Sequence, residues 1–182
     1  MNVLASPAQL RASFLRWALF MVPLVLLIGF AMGQLGGPNT PWFAGLNKPA
    51  LFPPAIVFPV VWTSLFVLIG LALALVASAW GAHGRGLALI AFAVHFLVTQ
   101  GWTAVFFGMQ DMMAGQMVLG FGVASLLIAL ALVWRVRRVA AWLLMPYLAW
   151  LCFASVLNYQ FIAANPDGGP RDADGAQTEV AL

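Results

Sequence analysis

The stretch Pro41–Ser64, PWFAGLNKPALFPPAIVFPVVWTS, decides how the rest of the chain is read. It is neither uniformly apolar nor a polar tail. Trp42 and Phe43 precede Lys48, the single lysine of the chain, which stands beside Pro49. Pro53 and Pro54 then open an apolar run that contains Phe58, Pro59 and Trp62. A residue before proline is pushed away from helical geometry, so Leu46 to Pro53 is predicted to be a shaped, extended loop. Proline is tolerated in a first helical turn, which makes Pro54 a natural helix start and Pro59 an early distortion. The stretch reads as a rigid lid feeding a transmembrane helix.

Composition bounds the rest. Of 182 residues, 64% are hydrophobic and 7% charged, against roughly 25% charged in an ordinary soluble domain. A mean hydropathy of +0.99 agrees, and the class is a polytopic membrane protein. The basic pI reflects few charges; no basic patch is interleaved with base-reading residues, so nucleic acid is not an expected partner. Cys152, the single cysteine, lies in an apolar run and says nothing about redox compartment.

Five spans follow, at about 11–33, 54–80, 87–108, 112–134 and 139–164, giving an all-α, five-helix membrane bundle. Residues 1–10 form a polar lead, 34–53 the lid loop, and 166–182 an acidic, Gly-rich tail expected to be disordered. The arginines before the first apolar run would also suit a secretory signal peptide, but Pro23 interrupts that run and no small-residue cleavage site follows it. Arg11, Arg16, Arg85, Arg135, Arg137 and Arg138 collect at one side. Lys48 and Arg171 share the other with Asp111, Asp167, Asp172, Asp174 and Glu179. The positive-inside rule then places the amino terminus inside, with the lid and carboxyl terminus outside. The apolar interiors of the spans hold no charged residue, which argues against an intramembrane proton relay.

Trp17, Trp80, Trp134 and Trp142 sit at span ends, where interfacial anchoring accounts for them. Trp62, Trp102 and Trp150 lie deeper. Helical periodicity aligns Phe58, Trp62 and Phe66 on the second span, and His95, Thr99, Trp102 and Phe106 on the third. On the fifth it aligns Tyr147, Trp150, Ala154, Asn158 and Phe161. Such a stripe suits a flat, greasy ligand with polar edges, oriented by Thr99, Asn158 and the tyrosine hydroxyl. It equally suits interhelical packing with polar glue, and the residues alone leave both open. His95 could coordinate a haem iron, bond a propionate, or donate to a neighbouring helix backbone. Gly115, Gly120 and Gly122, with Ala88 and Ala91, could serve close packing within one protomer or between two. No nucleophile–base–acid set and no metal-ligating cluster is visible, so no catalytic residue is assigned.

The run W-F-x-x-L-x-K-P-x-x-x-P-P followed by F-P-x-x-W-T resembles the signature of the TspO/MBR family, the tryptophan-rich sensory and translocator proteins. Trp102-Thr103 leading to Phe106-Phe107-Gly108, and Pro146 to Trp150 with Phe153-Ala154 and Leu157-Asn158, agree with the same family. The resemblance covers about Arg11 to Asn165. It implies a homodimer that binds tetrapyrroles, protoporphyrin IX or haem, or other flat hydrophobic ligands between the helices and under the lid. The ligand residues it implies are Trp42, Phe43, Phe58, Trp62, His95, Thr99, Trp102, Phe106, Tyr147, Trp150, Ala154, Leu157 and Asn158. No cofactor is required; porphyrin or haem is a ligand.

Three departures from the family pattern shape the expectation. His95 and Thr99 stand where relatives usually have glutamine and asparagine. The tryptophan usual between the Lys-Pro and Pro-Pro pairs is replaced among Ala50, Leu51 and Phe52, so oxidative porphyrin breakdown is not expected. Ala163 stands where a cholesterol-recognition pattern would need a basic residue, so tight cholesterol binding is not expected either. The implied role is sensor, carrier or scavenger in a bacterial membrane. The alternatives are an oxidative porphyrin-degrading enzyme and a transporter of a hydrophobic solute.

Overall fold

The structure, a computed structural model, describes residues 6–169. Helix α1 spans Pro7–Gly33, α2 Pro41–Gly45, α3 Val57–Ala77, α4 Arg85–Gln100, α5 Met112–Val136 and α6 Arg138–Ala164. A π-helical turn, Ala104–Gly108, extends α4. Five of these segments are long and apolar enough to cross a membrane: α1, α3, α4 with its π turn, α5 and α6. The chain is an all-helical membrane bundle.

Local chemistry explains where the elements begin. Ser6 Oγ accepts from Gln9 N at 3.3 Å and Gln9 Oε1 accepts from Ser6 N at 2.8 Å. This reciprocal cap, with Pro7 at the first helical position, starts α1 at Pro7 instead of near Arg11. Residues 7–10 of the polar lead are thus the first turn of a helix, and residues 1–5 lie outside the described part. Pro23 does not interrupt α1, which continues through it.

The lid is not wholly extended. Thr40 Oγ1 accepts from Phe43 N at 3.2 Å and caps α2, with Pro41 in its first turn. Lys48 Nζ closes the other end, donating to the carbonyls of Phe43, Ala44 and Leu46 and lying 4.3 Å from the Phe43 ring centroid. A cation at a helix C-terminus satisfies orphan carbonyls and complements their partial negative charge. Partial burial lowers the Lys48 pKa from its ordinary value.

Helix α3 begins at Val57, not Pro54. Pro54 instead turns the chain, its carbonyl accepting from Val57 N at 2.9 Å. Pro59 therefore falls in the first turn of α3, where an N–H would have had no intrahelical partner, and it causes no distortion there. At the opposite end α3 stops at Ala77. Gly81 and Gly84, both at φ 77°, then carry the chain into α4, where a side chain would be strained. Between α5 and α6 the three-arginine loop shrinks to one extended residue, Arg137 (φ −152°, ψ 103°).

Helix α1 packs on α3, α3 on α6, α6 on α5 and α5 on α4; α4 meets α3 and α1 only sparingly. The first contact is a pair of glycine seats. A Cβ on Gly70 would lie 2.6 Å from the Val22 Cα, and one on Gly29 would lie 2.2 Å from the Phe66 ring. Small residues let helix backbones approach where lipid offers no hydrophobic drive. Gly115, Gly122 and Ala88 are buried inside the protomer, whereas Gly120 is exposed with open space beside it. Leu19, Leu27 and Ile90 are among the large apolar side chains facing outward, as a helix surface in lipid requires.

The two ends of the bundle differ. Trp17 meets Trp80 at 6.3 Å and Trp134 meets Trp142 at 5.8 Å, with Arg85 over Trp80 and Arg138 beside Trp134. This is an aromatic and basic belt. The other end carries the lid, the 109–111 turn and the segment after α6. Pro166 to Gly169, expected to be the start of a disordered tail, docks on the lid: Trp42 Nε1 donates to Gly168 O at 3.0 Å. The remainder of the expected tail lies outside the described residues.

Candidate ligand site

The thirteen candidate residues extend from the middle of the bundle to the lid, in three groups. The first lies between α4, α5 and α6. His95 is fully buried; its Nδ1 lies 2.8 Å from Ser125 Oγ and its Nε2 lies 3.2 Å from Tyr147 OH. The Ser125 hydroxyl donates to Phe121 O at 2.7 Å, so its oxygen accepts from Nδ1–H. A neutral imidazole then takes the Tyr147 O–H on its bare Nε2. Thr99 Oγ1 lies 3.3 Å from the same tyrosine oxygen and 3.0 Å from its own helix carbonyls, His95 O and Phe96 O. Both His95 nitrogens are thus engaged by protein, and coordination of an iron would require breaking this chain.

The second group is centred on the π turn. A π turn widens the helix and re-aims its side chains. It stacks Trp102 on Phe106, centroids 4.8 Å apart, and presents both Phe106 and Phe107 to the Phe43 ring. Trp102 Nε1 donates to Asn158 Oδ1 at 3.3 Å, while Asn158 Nδ2 donates to Met112 O at 2.9 Å and to Gln116 Oε1 at 3.0 Å. The Asn158 amide is therefore fully used, as burial demands. Gly115 makes room for this cluster: a Cβ there would sit 3.2 Å from Trp102 Nε1 and 3.3 Å from Asn158 Oδ1. Above it, Trp42, Phe43, Leu157 and Phe161 close the space beneath the lid.

The third group lies along the α3–α6 seam. Trp150 packs edge-on against Phe58 at 6.1 Å and Trp62 at 6.4 Å, and against Phe153 at 5.2 Å. The predicted single face of α6 is thus shared between two seams, with Tyr147 and Asn158 turned to α4 and α5 and Trp150 to α3. Trp62, Trp102, Trp150 and Ala154 are only half-buried, unlike Tyr147 and Asn158. Of the three lid residues Ala50, Leu51 and Phe52, the structure turns Phe52 inward, 5.9 Å from Phe43 and 5.6 Å from Phe58 and Phe161.

Residues outside the sequence-based set also build the site. Ser125, Gln116 and Gly115 come from α5, on which no candidate had been placed. Polar Ser125 and Gln116 in an otherwise apolar span were the available signal. Asn47 and Asn165 join the lid to the end of α6. Two shallow cavities, about 310 and 380 Å³, flank the Asn165–Gly169 segment and are not lined by the aromatic stripe.

The model of the TspO/MBR family matches residues 2–163. The chain belongs to that family. Among its relatives, the "Tryptophan-rich protein TspO" of Chlorobaculum tepidum is 37% identical over 150 residues, covering 80% of this chain and 93% of that protein. The "Tryptophan-rich sensory protein" of Cereibacter sphaeroides is 36% identical over 153 residues, covering 82% and 92%. The "Translocator protein" of Sus scrofa is 34% identical over 128 residues, covering 68% and 74%. The resemblance carried by the lid, π-turn and α6 motifs is therefore a family relationship across the bundle.

Proposed function

We propose that this member of the TspO/MBR family binds flat hydrophobic ligands of the tetrapyrrole type within the bundle, beneath the lid, as a sensor, carrier or scavenger. The observation that carries the reading is the half-buried set Trp62, Trp102, Trp150 and Ala154, on α3, the α4 span and α6 of a bundle in which α3 and α4 meet sparingly. Rings that are not sealed by neighbours can trade contacts with each other for contacts with a planar ligand, and Ala154 leaves space against them. The 3.3 Å bond from Trp102 to Asn158 is long, and a ligand acceptor can take over that indole N–H. With both His95 nitrogens engaged, recognition rests on the macrocycle and not on its metal.

The chain lies with its amino terminus inside and its lid outside, following its arginines. It works as a homodimer, for which Gly120, unlike Gly115 and Gly122, is left open on the protomer surface. Titrating the purified protein with protoporphyrin IX and with haem tests the reading by quenching of tryptophan fluorescence. Saturable binding of both, with similar affinities, is the expected result. Quenching no greater than that of an unrelated five-helix membrane protein would refute it.

A further inference from the structure

The lid is fastened to the end of α6 by a two-sided amide contact. Asn165, the residue after α6, is 6% exposed and has left helical geometry (φ −135°, ψ 64°). Its Oδ1 accepts from the backbone N of Asn47 at 2.8 Å, and its Nδ2 donates to the backbone O of Asn47 at 3.1 Å. One carboxamide thus pairs with both main-chain groups of one lid residue, as a neighbouring strand would. The same Nδ2 donates to Phe161 O at 2.9 Å, which fixes the amide on its own helix. Asn47 Nδ2 returns a bond to Ala164 O at 3.2 Å, and Trp42 Nε1 adds one to Gly168 O at 3.0 Å. Beneath these bonds the lid rests on Phe106 and Phe161 through aromatic contacts, which are adaptable and carry little direction.

We propose that Asn165 and Asn47 form the catch of the lid, and that release of this pair admits and discharges the ligand from the lid side. The ligand part rests on the function proposed above; the catch itself does not. An amide is the side chain that offers both a donor and an acceptor in this geometry, so Asn165 is the residue that matters at the pair. Asn47 contributes mainly its backbone, so its side chain matters less. The catch governs the rate of exchange: because it closes over empty and filled sites alike, loosening it speeds entry and exit together and leaves affinity nearly unchanged.

The test uses the full chain in detergent micelles. Deuterium uptake by the Trp42–Phe52 segment should rise about tenfold in Asn165→Ala, the effect expected of two lost neutral hydrogen bonds. Asn165→Asp sets an acceptor against the Asn47 and Phe161 carbonyls, and should raise uptake at least as much as Asn165→Ala. Asn47→Ala should stay near the parent. Protoporphyrin association and dissociation, followed by stopped-flow fluorescence, should quicken by similar factors in Asn165→Ala. Unchanged uptake in both Asn165 variants would overturn the catch, and so would an effect of Asn47→Ala as large as that of Asn165→Ala. Faster uptake with unchanged exchange kinetics would overturn its control of access. A parent that binds no porphyrin would refute the function proposed above, while deuterium uptake would still decide the catch.

Discussion

His95 shows how one side chain changes meaning between a linear sequence and a packed bundle. As the only histidine in a span it invites an iron, but Ser125 and Tyr147 occupy both its nitrogens. His95→Gln is expected to lower stability by about 1–3 kcal/mol, because a buried hydrogen-bond chain loses its middle member. Thermal unfolding in detergent measures this. The same substitution should change haem and protoporphyrin affinities equally, and a loss confined to haem would show that iron is ligated after all. The identity of the polar residues was legible in the sequence, since a histidine, a threonine and an asparagine in apolar spans stand out. Their partners were not. Helical periodicity places residues on a face of one helix, whereas Ser125, Gln116 and the main-chain oxygen of Met112 approach from α5, and no single-helix pattern encodes that.

The elements were more legible than the contacts. Long apolar runs in lipid must be helical, because each span has to satisfy its own backbone groups, and five such helices are present among the described residues. The differences fall where local chemistry overrides the apolar pattern. A capping box at Ser6 moves the start of α1 back to Pro7, a proline turn delays α3 to Val57, and Thr40 with Lys48 builds a short helix into the lid. The π turn after α4 has no periodic signature and could not be read in advance. Helix pairing is specified by small residues, which sequence alone cannot assign to a partner. Gly70→Ala is expected to destabilise the bundle by about 1–3 kcal/mol, because its Cβ would meet the Val22 backbone, which cannot swing aside. Gly120→Ala, with open space around it, should not lower the stability of the protomer, since alanine is the better helix former. Comparing detergent unfolding curves of the two variants checks both expectations, and equal losses would contradict the α1–α3 seat.

For the molecule as a whole, five candidate spans among the described residues, with arginines beside Trp80 and Trp134 at one end, are the basis of the proposed orientation, which predicts termini on opposite sides. Reporter fusions at the two ends should read opposite compartments, with the amino terminus inside; both ends on one side would contradict the bundle. The central claim is that a ligand lies inside this bundle against α6, and Ala154 is where it can be tested most directly. Its small side chain is half-buried on α6 between the turns that carry Trp150 and Asn158. A phenyl ring placed there would occupy the volume that a planar ligand needs. The decisive measurement is a protoporphyrin titration of Ala154→Phe beside Ala154→Gly, each first shown to be folded and of parental oligomeric size. Ala154→Gly should bind like the parent, and Ala154→Phe should lose about tenfold or more in affinity, the scale of an overpacking penalty. A folded Ala154→Phe that binds protoporphyrin as tightly as the parent would place the ligand elsewhere and contradict the intramembrane site.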